Sequence, residues 1–134
     1  DGLAEDTIVI WTADHGDGLP RAKREIYDSG IKVPMIIRWP EKYRPDDHPA
    51  GGIDDRLISF VDLAPSILRM AGVQVPRHMQ GRALVGDKNL TPRKYIFASR
   101  DRLDEQLFME RAVRDKSYKY IIPNSYKFVI FIYL

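Results

Sequence analysis

Asp14, His15 and Lys23 are the residues whose types and spacing could do chemistry. Asp14 and His15 are adjacent, follow directly on an apolar run, and lead into Gly16 and Gly18. A carboxylate beside an imidazole offers one oxygen and one nitrogen donor, half of a metal site. Glycines let the backbone turn sharply and approach a ligand. Lys23 lies a short loop away and can return its ammonium to the same place. A metal with a lysine suits an anionic substrate whose charge must be neutralised during reaction. Each residue also has a plainer reading. An Asp-His pair after a strand can be a loop cap, and Lys23 can be a solvated charge. His48 and His78 lie in Pro-rich loops and read as exposed, and the pairs Asp46-Asp47 and Asp54-Asp55 read as turn residues.

The elements that must position these groups follow from patterning. Ile8 to Trp11 is a continuous apolar run rich in β-branched residues, the pattern of a central parallel strand covered on both faces. Val33 to Arg38 is a second such run, and the loop between them carries Gly16, Gly18, Pro20 and Gly30. In open parallel sheets ligand sites gather beyond the carboxyl ends of strands, where Asp14 and His15 fall. Residues 41–56 are rich in Pro, Asp and Gly and read as surface loop. A helix follows with Asp62 as N-cap, Pro65 in the first turn and Gly72 as its stop, burying Leu63, Ile67, Met70 and Ala71. Residues 73–93 look irregular. Tyr95 to Ala98 reads as a strand, and "ERAVRD" and "YKYII" around Lys116 and Ser117 read as a hairpin. The order predicts an α/β front, residues 1–93, followed by a small antiparallel α+β subdomain, residues 94–134.

Composition narrows the function classes. The 134 residues are 44% hydrophobic and 30% charged, and a net charge of +2 is too small to point to nucleic acid. The absence of cysteine removes disulfides, thiolate nucleophiles and zinc-thiolate sites. The strongest apolar run, "FVIFIYL" at residues 128–134, is far shorter than the roughly 20 residues of a membrane span. A chain that opens on Asp1 reads as a piece of something longer.

Three stretches carry a family resemblance. "TIVIWTADHGDGLPRAKREIYDSGIKVPMIIRWP" resembles the C-terminal part of sulfatases, within the alkaline-phosphatase-like superfamily. "LISFVDLAPSILRMAGVQVPRHMQGRAL" resembles the helix and "MQGRSL"-type loop of that family. "SRDRLDEQLFMERAVRDKSYKYI" resembles its later strands, especially those of heparan N-sulfatase-like members. The resemblance implies the C-terminal part of a sulfatase sheet and a divalent metal, usually calcium, with Asp14 and His15 matching the family's later ligand pair. It implies a sulfate contact at Lys23 and a role for Arg100, Asp101 and Arg102 in selecting a sulfated sugar or other sulfated small molecule. It also implies a periplasmic, secreted or lysosomal setting. Two other readings stay open: a phosphodiesterase or phosphonate hydrolase of the same superfamily, and a non-catalytic module that binds acidic sugars.

The departures are as specific. The family nucleophile is a formylglycine made from Cys or Ser in a Cys/Ser-x-Pro/Ala-x-Arg motif, and none of Ser29, Ser59, Ser66, Ser99, Ser117 or Ser125 sits in one. The family's first acidic metal pair and the N-terminal half of its sheet have no counterpart here either. The 134 residues alone are therefore expected not to hydrolyse aryl sulfates or sulfated disaccharides. Metal-dependent turnover by the purified chain at ordinary enzymatic rates would contradict that expectation.

Overall fold

The computed structural model describes residues 2–86, 90–123 and 130–133. Part of the apolar end at 128–134 lies outside them. The chain divides into two compact units, neither continuous in sequence. One comprises residues 1–8 and 39–94, the other residues 9–38 and 95–134. Among the described residues no helix is long and apolar enough to cross a membrane.

In the second unit the two apolar runs form β1 (Val9–Thr12) and β2 (Met35–Arg38). They pair antiparallel, with Ile10 opposite Ile37 and Trp11 opposite Ile36, where the patterning predicts parallel strands. A parallel return needs a crossover long enough to carry a covering helix. Residues 13–34 hold only the four-residue α1 (Asp28–Ile31), so the chain turns back beside itself. The run is apolar on both faces, yet Val9, Trp11 and Ile36 stay exposed in this chain.

The rest of the unit is a meander of β3 (Ile96–Leu103), β4 (Gln106–Arg114), β5 (Tyr118–Ile122) and β6 (Ile130–Tyr133), all antiparallel in that order. The predicted hairpin is β4–β5, while β3 runs further than Ala98 and bulges between Arg100 and Arg102. Ala98, Ala112 and Ile121 lie opposite one another across three strands. Ile26, from the loop after β1, joins Ala112 and Ile121 in the core, with Tyr27 against them. Burying one such side chain contributes about 1.5–3 kcal/mol. The small alanines leave room for the loop to lie on the sheet.

That loop closes on itself through glycine. Gly16 N–H donates to the Gly30 carbonyl at 2.9 Å. A Cβ at Gly16 would overlap the Ser29 carbonyl oxygen, whereas a Cβ at Gly18 would meet nothing within 4 Å.

The first unit is built around one buried carboxylate. A single turn at Phe60–Asp62 runs into α2 (Leu63–Met70), which Gly72 ends in the left-handed region at φ 70°. Asp62, 1% exposed, accepts from Ser59 N–H at 3.1 Å, Arg82 N–H at 2.8 Å and Arg93 Nε at 2.9 Å. Ser66 donates to the Asp62 carbonyl at 2.5 Å and accepts from Leu84 N–H at 2.9 Å. Arg82, Leu84 and Arg93 are thus held by polar bonds to Asp62 and Ser66. This corrects the expected buried stripe: Pro65 and Ser66 are buried, while Ile67 and Ala71 are exposed. The helix is rotated so that Asp62 and Ser66, one turn apart, face their partners.

Two measurements test this account. Burial pushes the Asp62 carboxyl up, but the Arg93 guanidinium and the two N–H donors outweigh it and hold the group below the usual carboxylate range. Such a group adds stability above its unfolded value of about 3.9 and loses it as pH falls through the lower folded value. Asp62→Asn should cost about 3 kcal/mol in urea denaturation at neutral pH, with the gap to wild type closing below about pH 4. Gly16→Ala should destabilise by about 1–3 kcal/mol through overpacking, with Gly18→Ala near neutral. Equal effects of the two would refute the close approach.

Candidate functional site

Asp14 and His15 leave the carboxyl end of β1 together. The Asp14 side chain is 89% exposed and that of His15 is 38% exposed. His15 Nδ1 lies 2.6 Å from the Gly16 carbonyl oxygen. A carbonyl can only accept, so Nδ1 carries a hydrogen, and in the neutral imidazole Nε2 then keeps its lone pair. Nε2 sits 3.7 Å from Asp14 Oδ1. Two donors sharing one calcium at about 2.4 Å each stand roughly 3–4 Å apart. The donor types and their separation fit a divalent cation. Among the described residues no group of three or more His, Cys, Asp or Glu could hold a metal, so this pair alone does not complete a ligand set.

Lys23 is exposed on the loop, its N–H donating to the Asp17 carbonyl at 2.9 Å. The backbone around it is bent into a defined shape. Arg21 at φ 63° and Arg24 at φ 72° occupy the left-handed region without being glycine, at a cost of order 1–3 kcal/mol each. Side-chain contacts hold them there. The Arg21 guanidinium lies over the Tyr27 ring at 4.6 Å, and the Ser29 hydroxyl donates to the Arg21 carbonyl. Arg24 pairs with Asp104 at 3.0 Å, at the tip of the β3–β4 hairpin.

Each member of the predicted sugar-selecting triplet has an internal partner. Arg100, 11% exposed, pairs with Glu25 and lies 3.6 Å from Glu110. Asp101 pairs with Arg111 at 2.5 Å, and Arg102 Nε donates to the Asp104 carbonyl at 2.8 Å. His48 is half-buried rather than exposed, between Asp47 at 3.0 Å and Arg56 at 3.2 Å. Asp54 holds the Arg56 guanidinium, as a turn residue would. In the first unit Arg56, Arg82 and Arg93 rim a shallow cleft, but carboxylates or carbonyls already hold their guanidinium groups.

Sequence reasoning missed one cluster beside the Lys23 loop. Lys119 is 1% exposed, and its Nζ donates to Asp28 Oδ1 at 2.9 Å. Arg114 reaches Asp28 Oδ2 at 3.2 Å. Burial lowers the Lys119 ammonium below the ordinary lysine value, with Asp28 opposing that shift. The signal was strand alternation: in "YKYII" Lys119 shares a face with buried Ile121.

Comparison with known proteins gives this geometry a family. Residues 1–73 match the Sulfatase family. An ulvan-active sulfatase of Formosa agariphila is 48% identical over 121 residues, spanning 90% of this chain and 20% of that protein. Among solved structures, a 2-O GAG sulfatase superposes with a TM-score of 0.81 at 24% identity, over 99% of this chain and 30% of its own. A second, in complex with its substrate D-glucosamine-2-N,6-O-disulfate, gives 0.68 at 24% identity, over 97% of this chain and 28% of its own. The chain thus spans between a fifth and a third of each of these three proteins. Its described elements take the alkaline-phosphatase-like α/β fold of those structures. The match over more than half its length, together with that fold, shows that the chain belongs to the sulfatase family.

Proposed function

We propose that this chain contributes the later metal ligands and a sulfate contact to an enzyme that hydrolyses sulfate esters or sulfamates on a sulfated sugar. The observation that carries the reading is the His15–Gly16 hydrogen bond, which in the neutral ring turns the Nε2 lone pair to the side of the Asp14 carboxylate. Similarity to the ulvan-active sulfatase and to the structure holding a sulfated glucosamine supports the substrate class.

Asp14 and His15 would hold a divalent metal, calcium by family resemblance. When bound, such an ion supplies positive charge against the sulfate oxygens. The Nδ1–H bond keeps the His15 ring in one tautomer and orientation, as a ligand histidine requires. Lys23 brings a cation on an exposed, shaped loop, where its ammonium meets sulfate oxygens whose charge distribution shifts during transfer. Only contacts that strengthen there speed the reaction. The nucleophile and the remaining ligands come from residues outside this chain, with the rest of the sulfatase sheet. That remainder would also cover Val9, Trp11 and Ile36, which are exposed here.

The test uses the enzyme that carries these residues. Lys23→Ala should lower kcat by about a hundredfold to a thousandfold, a loss of about 3–4 kcal/mol, with a smaller change in KM. Asp14→Ala should lose activity that excess metal partly restores, and no metal concentration should restore Lys23→Ala. Near-normal turnover in Lys23→Ala would make it a surface charge. A panel of sulfate and phosphate esters in which only phosphodiesters turn over would assign a different hydrolase of the superfamily.

A further inference from the structure

Directly after Lys23, the loop makes a run of charged contacts with the antiparallel sheet. Arg24 meets Asp104, Glu25 meets Arg100, and Asp28 meets both Lys119 and Arg114. Between them Ile26 is buried against Ala112 and Ile121. Asp28 opens α1, and two residues later the Gly30 carbonyl accepts the Gly16 N–H. The Gly16 carbonyl in turn accepts from His15 Nδ1. A continuous path of bonds therefore runs from β5 through Asp28, Gly30 and Gly16 to the imidazole.

We propose that Asp28, Lys119 and Arg114 are positioning residues: a buried charge cluster on the sheet that sets where His15 and Lys23 stand. The assignment rests on the metal and sulfate reading above for its consequence, but not for its geometry. Its physical basis is asymmetry. A buried lysine without a counter-charge is costly, so the loop that supplies Asp28 cannot lift from β5 without stranding Lys119. Two cations facing one carboxylate make that penalty larger when Asp28 leaves. A plain surface ion pair, worth little, would not hold a loop in this way. On the same sheet Arg100 is held separately, by Glu25 and near Glu110.

The test is amide hydrogen exchange in the protein carrying this chain, read at the Gly16 and Lys23 N–H groups, both of which are hydrogen-bonded within the loop. Lys119→Met, which leaves Asp28 with Arg114, should speed exchange at both amides by about tenfold or more, while the β3–β4 ladder keeps its protection. Calcium affinity should fall with it, and Lys119→Arg should recover both. A structural role alone would lower the melting temperature and leave loop exchange and calcium affinity at wild-type values; that outcome overturns the proposal. If Lys119→Met does not fold, the unmodified protein decides. Under mild denaturant, Gly16 and the Lys32 amide that closes α1 onto Asp28 should share one opening free energy, and earlier opening of Gly16 refutes the coupling. If the unmodified protein binds no calcium, the metal reading fails and the exchange data alone judge the positioning.

Discussion

The arrangement of the second unit depends on Lys119 being buried with Asp28. A lysine ammonium in the interior is tolerated only where an anion meets it with good geometry, and here that anion lies 91 positions earlier in the chain. The constraint explains why a loop with just four helical residues has a definite shape. Ile26 fills the space above Ala98, Ala112 and Ile121, and Asp28 completes the charge on β5. The strained turns at Arg21 and Arg24 then persist because the chain on either side of Lys23 is held.

The proposed chemistry follows from that support. A metal ligand and a sulfate contact work only when their reacting atoms are held within a fraction of an ångström. Asp14 and Lys23 are exposed, while the loop that follows them is fastened to the sheet through Ile26 and Asp28. The first unit has a separate organising centre at Asp62. Arg82 N–H and the Arg93 guanidinium donate to it, tying those two residues to the turn before α2.

Much of this was legible in the sequence, for local reasons. The "YKYII" hairpin declared itself by alternation, α2 by Pro65 and Gly72, and the Asp-His pair by its place after an apolar run. Family resemblance then supplied roles that spacing alone left open. What was not legible depends on long-range partners. The direction of β2 relative to β1 turns on how 22 intervening residues pack, and apolar runs look alike in either orientation. The rotation of α2 depends on Arg82, Leu84 and Arg93, which read as irregular loop. Asp28 and Lys119 look like ordinary surface charges until the sheet places them together.

In the proposed site His15 would present an unprotonated Nε2, beside Asp14, to a divalent cation. The most direct measurement is nitrogen NMR of the His15 ring during a calcium titration of the enzyme that carries this chain. The account predicts that Nδ1 stays protonated throughout, bonded to the Gly16 carbonyl, while the Nε2 resonance moves with calcium and stops moving when Asp14 is replaced by alanine. An Nε2 that carries the proton, or a ring indifferent to the metal, would contradict it.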